Sequence, residues 1–306
     1  MMDTAKSIEV NLGEIKEIDI VVLRRLQELI GGDHKSFFRG DGFDFVGLRD
    51  WQPGDKISSI DWPQSTMNNF NPLVVMEFEE DKNGTILIVT DASLSMHCGV
   101  DGFSSRNIVS RAIATIGLSG VFFQDLTGLF IFDHKYNHVY IRPRMGKNNV
   151  ISCVSRYLNP SFSSSASNSL SMTQKILGCL RRPAMIPVVS DFLFEDAVDF
   201  INDISHLKSR HDLFLIVTEA SFLFELPGIS DGWVECLDIE SGKAALLSRK
   251  EFMHMSGRAM DHQEAVIQRA RQSGLEVLKV GRDKNKFYND FAEFFFNRRT
   301  RRRVVS

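Results

Sequence analysis

No stretch of this 306-residue chain reaches the ~18 consecutive apolar residues of a membrane-spanning helix, so no span is expected. Cysteine is scarce. Cys98, Cys153, Cys179 and Cys236 stand far apart, with no C-x-x-C pair and no histidine at zinc-finger spacing. That excludes a zinc finger and suits reduced thiols in a cytoplasmic protein. Neither sign of charge dominates: 36 basic residues against 39 acidic ones leave a net charge of −3, which argues against a nucleic-acid-binding body. The one strong charge run, Arg298-Arg299-Thr300-Arg301-Arg302-Arg303, reads as a solvated end that complements a helix C-terminal dipole. There is no G-x-x-x-x-G-K-[ST], so a P-loop nucleotide site is not expected, and no G-x-S-x-G elbow. The opening Met1-Met2-Asp3-Thr4 and the acidic amphipathic segment after it lack the pattern of a secretory leader. Tyrosine is rare (4) beside phenylalanine (24), which favours large dry packing surfaces.

What the chain does contain centres on residues 85–96. Ile86-Leu87-Ile88-Val89 is an apolar run with three β-branched members, the pattern of a strand buried on both faces of a parallel sheet. It ends abruptly in Asp91, Ser93 and Ser95. Three oxygen-bearing side chains at alternate positions lie where open α/β sheets place ligands, beyond the carboxyl ends of their strands. Carboxylate and hydroxyl oxygens suit magnesium or manganese better than zinc or copper. The pattern Asp91-x-Ser93-x-Ser95 resembles the metal-ion-dependent adhesion site of von Willebrand factor A domains.

Further buried strands are expected at 128–132, 185–190, 213–217 and 275–280, alternating with helices at 104–123, 147–158, 194–207, 256–272 and 286–296. Val139 to Ile141 reads as a short strand, and residues 233–237 and 244–247 as a hairpin. Pro187 is awkward inside a strand because it has no N–H for the ladder. The strand is expected either to bulge there or to begin its pairing after it. Asp133, at another strand end, reads as a loop carboxylate satisfying backbone donors. A helix at 14–30, stopped by Gly31-Gly32, is expected to dock on the body. The alternation implies βαβ units and a doubly wound, mostly parallel α/β sheet with helices on both faces.

Residues 34–81 are the second informative stretch. Pro53-Gly54 fits a type II turn, and Arg49, Asp55 and Asp61 interleaved with Trp51 and Trp62 suggest an ordered polar cluster, with Arg49 paired to Asp55 or Asp61. Arg39-Gly40-x-Gly42-x-Asp44-Phe45, Leu48-Arg49, Pro53-Gly54-Asp55 and Ile60-Asp61-Trp62 resemble the signature of the bacterial domain-of-unknown-function-58 family. In that family the block leads into a strand and then a von Willebrand A domain, the order found here. The chain departs from it at Asp50-Trp51, where Glu-Tyr is usual, and at Ser58, Met67 and Met76, where arginines are common.

The resemblance implies a Rossmann-like von Willebrand A fold with strand order 3-2-1-4-5-6, residues 1–82 forming an N-terminal helix and small β-rich platform and residues 83–306 the von Willebrand A-like domain. It implies a metal site of Asp91, Ser93, Ser95 and Asp191, completed by a hydroxyl from the Ser-rich loop 159–171. The best match there is Ser167, with Ser165 and Ser169 as alternatives. It further implies a non-catalytic adaptor that captures a partner protein's carboxylate through Mg2+ or Mn2+ and acts with a MoxR-type AAA+ ATPase in maturing or assembling a client. The rival is a magnesium-dependent phosphohydrolase with Asp91 as nucleophile. Such enzymes generally carry a second carboxylate two residues on, where this chain has Ser93, which cannot serve as general acid at neutral pH.

Overall fold

The computed structural model describes residues 43–55, 57–67, 72–80, 84–100, 103–133, 135–160, 162, 171–224, 233–237 and 244–305. The expected helix at 14–30, the Arg39-Gly40-x-Gly42 start of the family signature and the loop serines Ser165, Ser167 and Ser169 lie outside them.

Twelve strands are described. A two-stranded antiparallel sheet pairs β1 (Phe43–Asp50) with β2 (Val74–Glu80), with a bulge between Phe45 and Gly47. A single bridge from Ile60 to Val75 and a short helix, α1 (Trp62–Met67), complete this region. Arg49 holds Asp55 by two bonds of 2.7 Å, as one of the two expected pairings. That guanidinium, with the Gln52 N–H, holds the Asp55 carboxyl down at about 2.

The central sheet has six strands: β3 (Thr85–Asp91), β6 (Leu126–Phe132), β7 (His138–Arg144), β8 (Met185–Ser190), β9 (Asp212–Thr218) and β12 (Glu276–Val280). Their spatial order is β7-β6-β3-β8-β9-β12, which in chain order within the sheet is 3-2-1-4-5-6. Every pairing is parallel except that of edge strand β7 with β6. The minor strands β4 (Gly99–Val100) and β5 (Phe103–Ser104) form one small ribbon. The expected hairpin is formed by β10 (Trp233–Leu237) and β11 (Ala244–Ser248).

The apolar run of β3 lies at the centre of the sheet because both its faces are covered. Ile86 and Ile88 enter one core cluster, while Leu87 and Val89 enter the other. The first cluster packs under α2 (Ser105–Phe122), α3 (Lys147–Leu158) and the last helix, α7 (Lys284–Val305). The second packs under α4 (Met172–Cys179), α5 (Ala197–Ser205) and α6 (Arg249–Gln272). Gly120 lets α2 approach closely, since a Cβ there would stand 2.7 Å from Thr127 Oγ1 and 2.9 Å from Ile86 Cδ1.

Three elements differ from the sequence-based expectation. Pro187 neither bulges β8 nor delays its pairing. Its register with β9 is continuous through Pro187 and Phe214, and the interruption falls in the β3 ladder, between the Ile86–Met185 and Val89–Val188 pairs. The missing N–H is thus absorbed where the chain makes no rung. Helix α6 begins seven residues earlier than expected because Ser248 and Glu251 form a reciprocal capping box. The last helix runs on to Val305 and does not stop at 296; its arginines are good helix formers. Nor is Arg298 solvated: it is 8% exposed, paired with Asp212 and Glu276, and lies 4.2 Å over the Phe214 ring.

Candidate metal centre

The candidate site is built where β3 and β8 leave the sheet. Asp91 is the last residue of β3, and Asp191 directly follows β8. Both are fully buried. The chain turns sharply after each. The Ser93 N–H donates to Asp91 Oδ1 at 2.7 Å, and the Leu193 N–H donates to Asp191 Oδ1 at 3.1 Å, so each carboxylate caps its own turn. A short 3-10 helix, Leu94–His97, follows the first turn and carries Ser95. The Ser93 and Ser95 hydroxyl oxygens stand 2.9 Å apart.

The two halves are joined by Ser190, whose hydroxyl donates to Asp91 Oδ2 at 3.0 Å and accepts from the Phe192 N–H at 2.9 Å. Asp91, Ser93, Ser95 and Asp191 therefore stand together at the ends of two neighbouring strands. Ser167 lies outside the described residues. Asp133 is occupied otherwise. Its carboxylate accepts from the backbone N–H groups of Lys135 and Asn137 and from Asn137 Nδ2, closing its own loop.

Burial drives the electrostatics. Desolvation raises the Asp91 carboxyl above its ordinary value, although the hydrogen bonds from Ser93 and Ser190 act against it. Desolvation and, next, the charge of Asp91 push Asp191 up to about 7, with the Ser95 hydroxyl near enough to favour the charged form. The low-dielectric wall is aromatic. Phe132, which pairs with Asp91 in the sheet, stacks on Phe200 at 5.1 Å, and Phe200 meets Phe194 edge-on at 5.6 Å. Phe192 completes the wall at φ +53°, a left-handed conformation that a bulky residue adopts only where its surroundings enforce it. The enforcing contacts are the Ser190 hydroxyl on its N–H and complete burial of its ring.

Asp191 Oδ2 is buried without a hydrogen-bond partner among the described residues. A carboxylate oxygen so placed beside a second buried carboxylate and two hydroxyls fits a hard divalent cation. Among the described residues no group of three or more His, Cys, Asp or Glu that could hold a metal ion comes together, so the candidate donors are two carboxylates and hydroxyls. Two of the four thiols are poor nucleophiles, since burial pushes Cys153 up to about 12 and Cys179 up to about 11.

The roles of three residues escape sequence reasoning. Ser190 stands out in the sequence only as part of Ser190-Asp191-Phe192, which resembles the family's strand end, and nothing there announces its bond to Asp91. Tyr157 and Gln263, which bond the backbone carbonyls of Asp91 and Asp191, lie 66 and 72 residues away from them in the chain.

Comparison with known proteins adds the following. Uncharacterized proteins of Mycobacterium bovis and of two Mycobacterium tuberculosis strains are each 24% identical over 296 residues, covering 93% of this chain and 89% of theirs. The crystal structure of an aerotolerance-related membrane protein from Bacteroides fragilis, carrying multiple mutations to serine, aligns with a TM-score of 0.41 at 14% identity. That alignment covers 71% of this chain and 100% of the other. Among the described residues no helix is long and apolar enough to cross a membrane. The family model for the protein of unknown function DUF58 matches residues 47–266, and the chain belongs to that family.

Proposed function

We propose that this protein is a von Willebrand A-type adaptor that holds Mg2+ or Mn2+ at Asp91, Ser93, Ser95 and Asp191 and uses it to capture a carboxylate of a partner protein. The observation that carries the reading is the buried, unpartnered Asp191 Oδ2 beside a second buried carboxylate. Two like charges in so dry a place are destabilising alone and become favourable around a cation. The cation, when bound, supplies a Lewis-acidic position for an incoming carboxylate. The chain's own groups do the rest: Asp91 and Asp191 provide charge, Ser93 and Ser95 provide neutral oxygens, and Ser190 fixes the Asp91 carboxylate. A loop hydroxyl, Ser167 in this reading, completes the set.

Position 93 supports binding over hydrolysis, because a serine stands where a phosphohydrolase of this type needs a second carboxyl. In this reading residues 1–82 form the platform and 83–306 the binding domain. The protein is cytoplasmic, and its partner is a MoxR-type AAA+ ATPase acting with it on a client protein. The test is affinity purification from the native cell in Mg2+ or in EDTA, with wild type and Asp91→Ala. An AAA+ ATPase or its client should be retained by wild type in Mg2+ and lost in EDTA or with Asp91→Ala. Retention unchanged in EDTA contradicts the reading. Turnover of an aryl phosphate that Asp91→Asn abolishes would establish the hydrolase in its place.

A further inference from the structure

Two buried side chains reach the site aspartates from opposite faces of the sheet, each through the backbone. From α3, on the face of the first core cluster, the Tyr157 hydroxyl donates to the Asp91 carbonyl oxygen at 3.1 Å. From α6, on the other face, Gln263 Nε2 donates to the Asp191 carbonyl oxygen at 2.7 Å and to the Thr218 carbonyl oxygen at 3.0 Å. Both acceptors of Gln263 are carbonyl oxygens, so only its amide nitrogen can face them. Tyr157 is 0% exposed and Gln263 is 8% exposed.

These contacts replace missing rungs. The β8–β9 ladder ends at the Ser190–Val217 pair, and the next two carbonyls, of Asp191 and Thr218, converge on the one Gln263 amide. The β3–β8 ladder ends at Thr90–Val189, and beyond it the Asp91 carbonyl takes Tyr157. Without these donors the three carbonyls of Asp91, Asp191 and Thr218 would lose these bonds where the strands end. The two turns carry like charges that push apart.

We propose that Tyr157 and Gln263 are the positioning residues of this site. Each clamps the main chain of one aspartate, and together they fix the separation of the two carboxylates against their mutual repulsion. The inference deepens the proposed metal site and rests on it for its metal readout alone. The clamp itself is a property of the metal-free protein.

The test uses full-length protein with Tyr157→Phe and Gln263→Met, both keeping buried apolar bulk. In EDTA, site-resolved amide hydrogen exchange reports the Ser93 and Leu193 N–H groups, the donors to the two carboxylates. Tyr157→Phe should speed exchange at Ser93, and Gln263→Met at Leu193, by about tenfold. Exchange at Ile88 and Val189 inside the strands should hold at the wild-type rate. Mn2+ titrated into the same samples should bind about tenfold to a hundredfold more weakly in either variant. Val154→Ala, a core truncation on the same helix as Tyr157, controls for general destabilisation and should show no excess at Ser93. Unchanged exchange at Ser93 and Leu193, or a loss no greater than at Ile88 and Val189, overturns the proposal. If wild type binds no Mn2+ while the local loss is seen, the metal reading fails and the clamp stands.

Discussion

Buried charge occurs at both ends of the central sheet, and the two ends treat it in opposite ways. At the amino ends of β9 and β12, Arg298 is 8% exposed and meets two carboxylates, Asp212 and Glu276, the latter at 2.7 Å. Its guanidinium also lies over Phe214, so the whole group is fixed by packing and charge together. At the carboxyl ends of β3 and β8, two carboxylates are buried side by side, with only hydroxyls and backbone N–H groups as partners among the described residues. One end closes its electrostatics within the chain and so holds the last helix to the sheet. The other holds two carboxyls with no cationic partner among the described residues, which is where the proposed function puts Mg2+ or Mn2+.

Removing the cation at the first end should have the largest effect on the fold. Arg298→Ala leaves Asp212 and Glu276 facing each other and removes the ring contact, and a loss of about 3 kcal/mol in denaturant unfolding is expected. That loss should be the same in Mg2+ and in EDTA. A metal-dependent loss would mean that the two ends are not independent.

Removing charge at the second end should act in the opposite direction. Both site carboxyls are raised above their ordinary value, so the folded state prefers them protonated. The stability this pair allows is complete below about 4 and declines as pH rises toward about 7, where Asp191 ionises. Asp191→Asn keeps the shape without the charge. In EDTA at pH 8 it should be more stable than wild type by roughly 2 kcal/mol, with no advantage at pH 4. Unfolding curves at the two pH values decide this, and a destabilised Asp191→Asn at pH 8 would show that the carboxylate is satisfied within the chain.

Ser93→Ala should move stability least, within about 1 kcal/mol, because the bond to Asp91 Oδ1 comes from the backbone N–H and survives. Its effect should fall on divalent affinity, which loses one hydroxyl oxygen. Wild-type Mn2+ affinity in Ser93→Ala would remove that hydroxyl from the site.

The same contrast explains what could be read from the sequence. β3 was legible because an unbroken apolar run is the mark of a strand covered on both faces, and Asp91, Ser93 and Ser95 were legible because they break that run at once. The strand order followed from the family resemblance, and the structure has it. Contacts between distant positions were not legible. Nothing near Arg298 in the chain announces Asp212 or Glu276, and a basic run at a helix end looks solvated until its acids are found on other strands. Tyr157 and Gln263 sit on helices whose periodicity speaks only of core. Pro187 looked like a defect because propensity describes one strand at a time, whereas the gap it needs lies in the ladder to its neighbour.

The most direct measurement is the melting temperature of wild type and Asp191→Asn at pH 7.5 as Mn2+ is raised from EDTA to millimolar concentration. A cation bound to the folded state alone raises stability with the logarithm of its concentration above Kd. Wild type should climb steadily with Mn2+ and Asp191→Asn should stay flat. A wild-type melting temperature that does not move, or the same climb in both proteins, would contradict a metal held between Asp91 and Asp191.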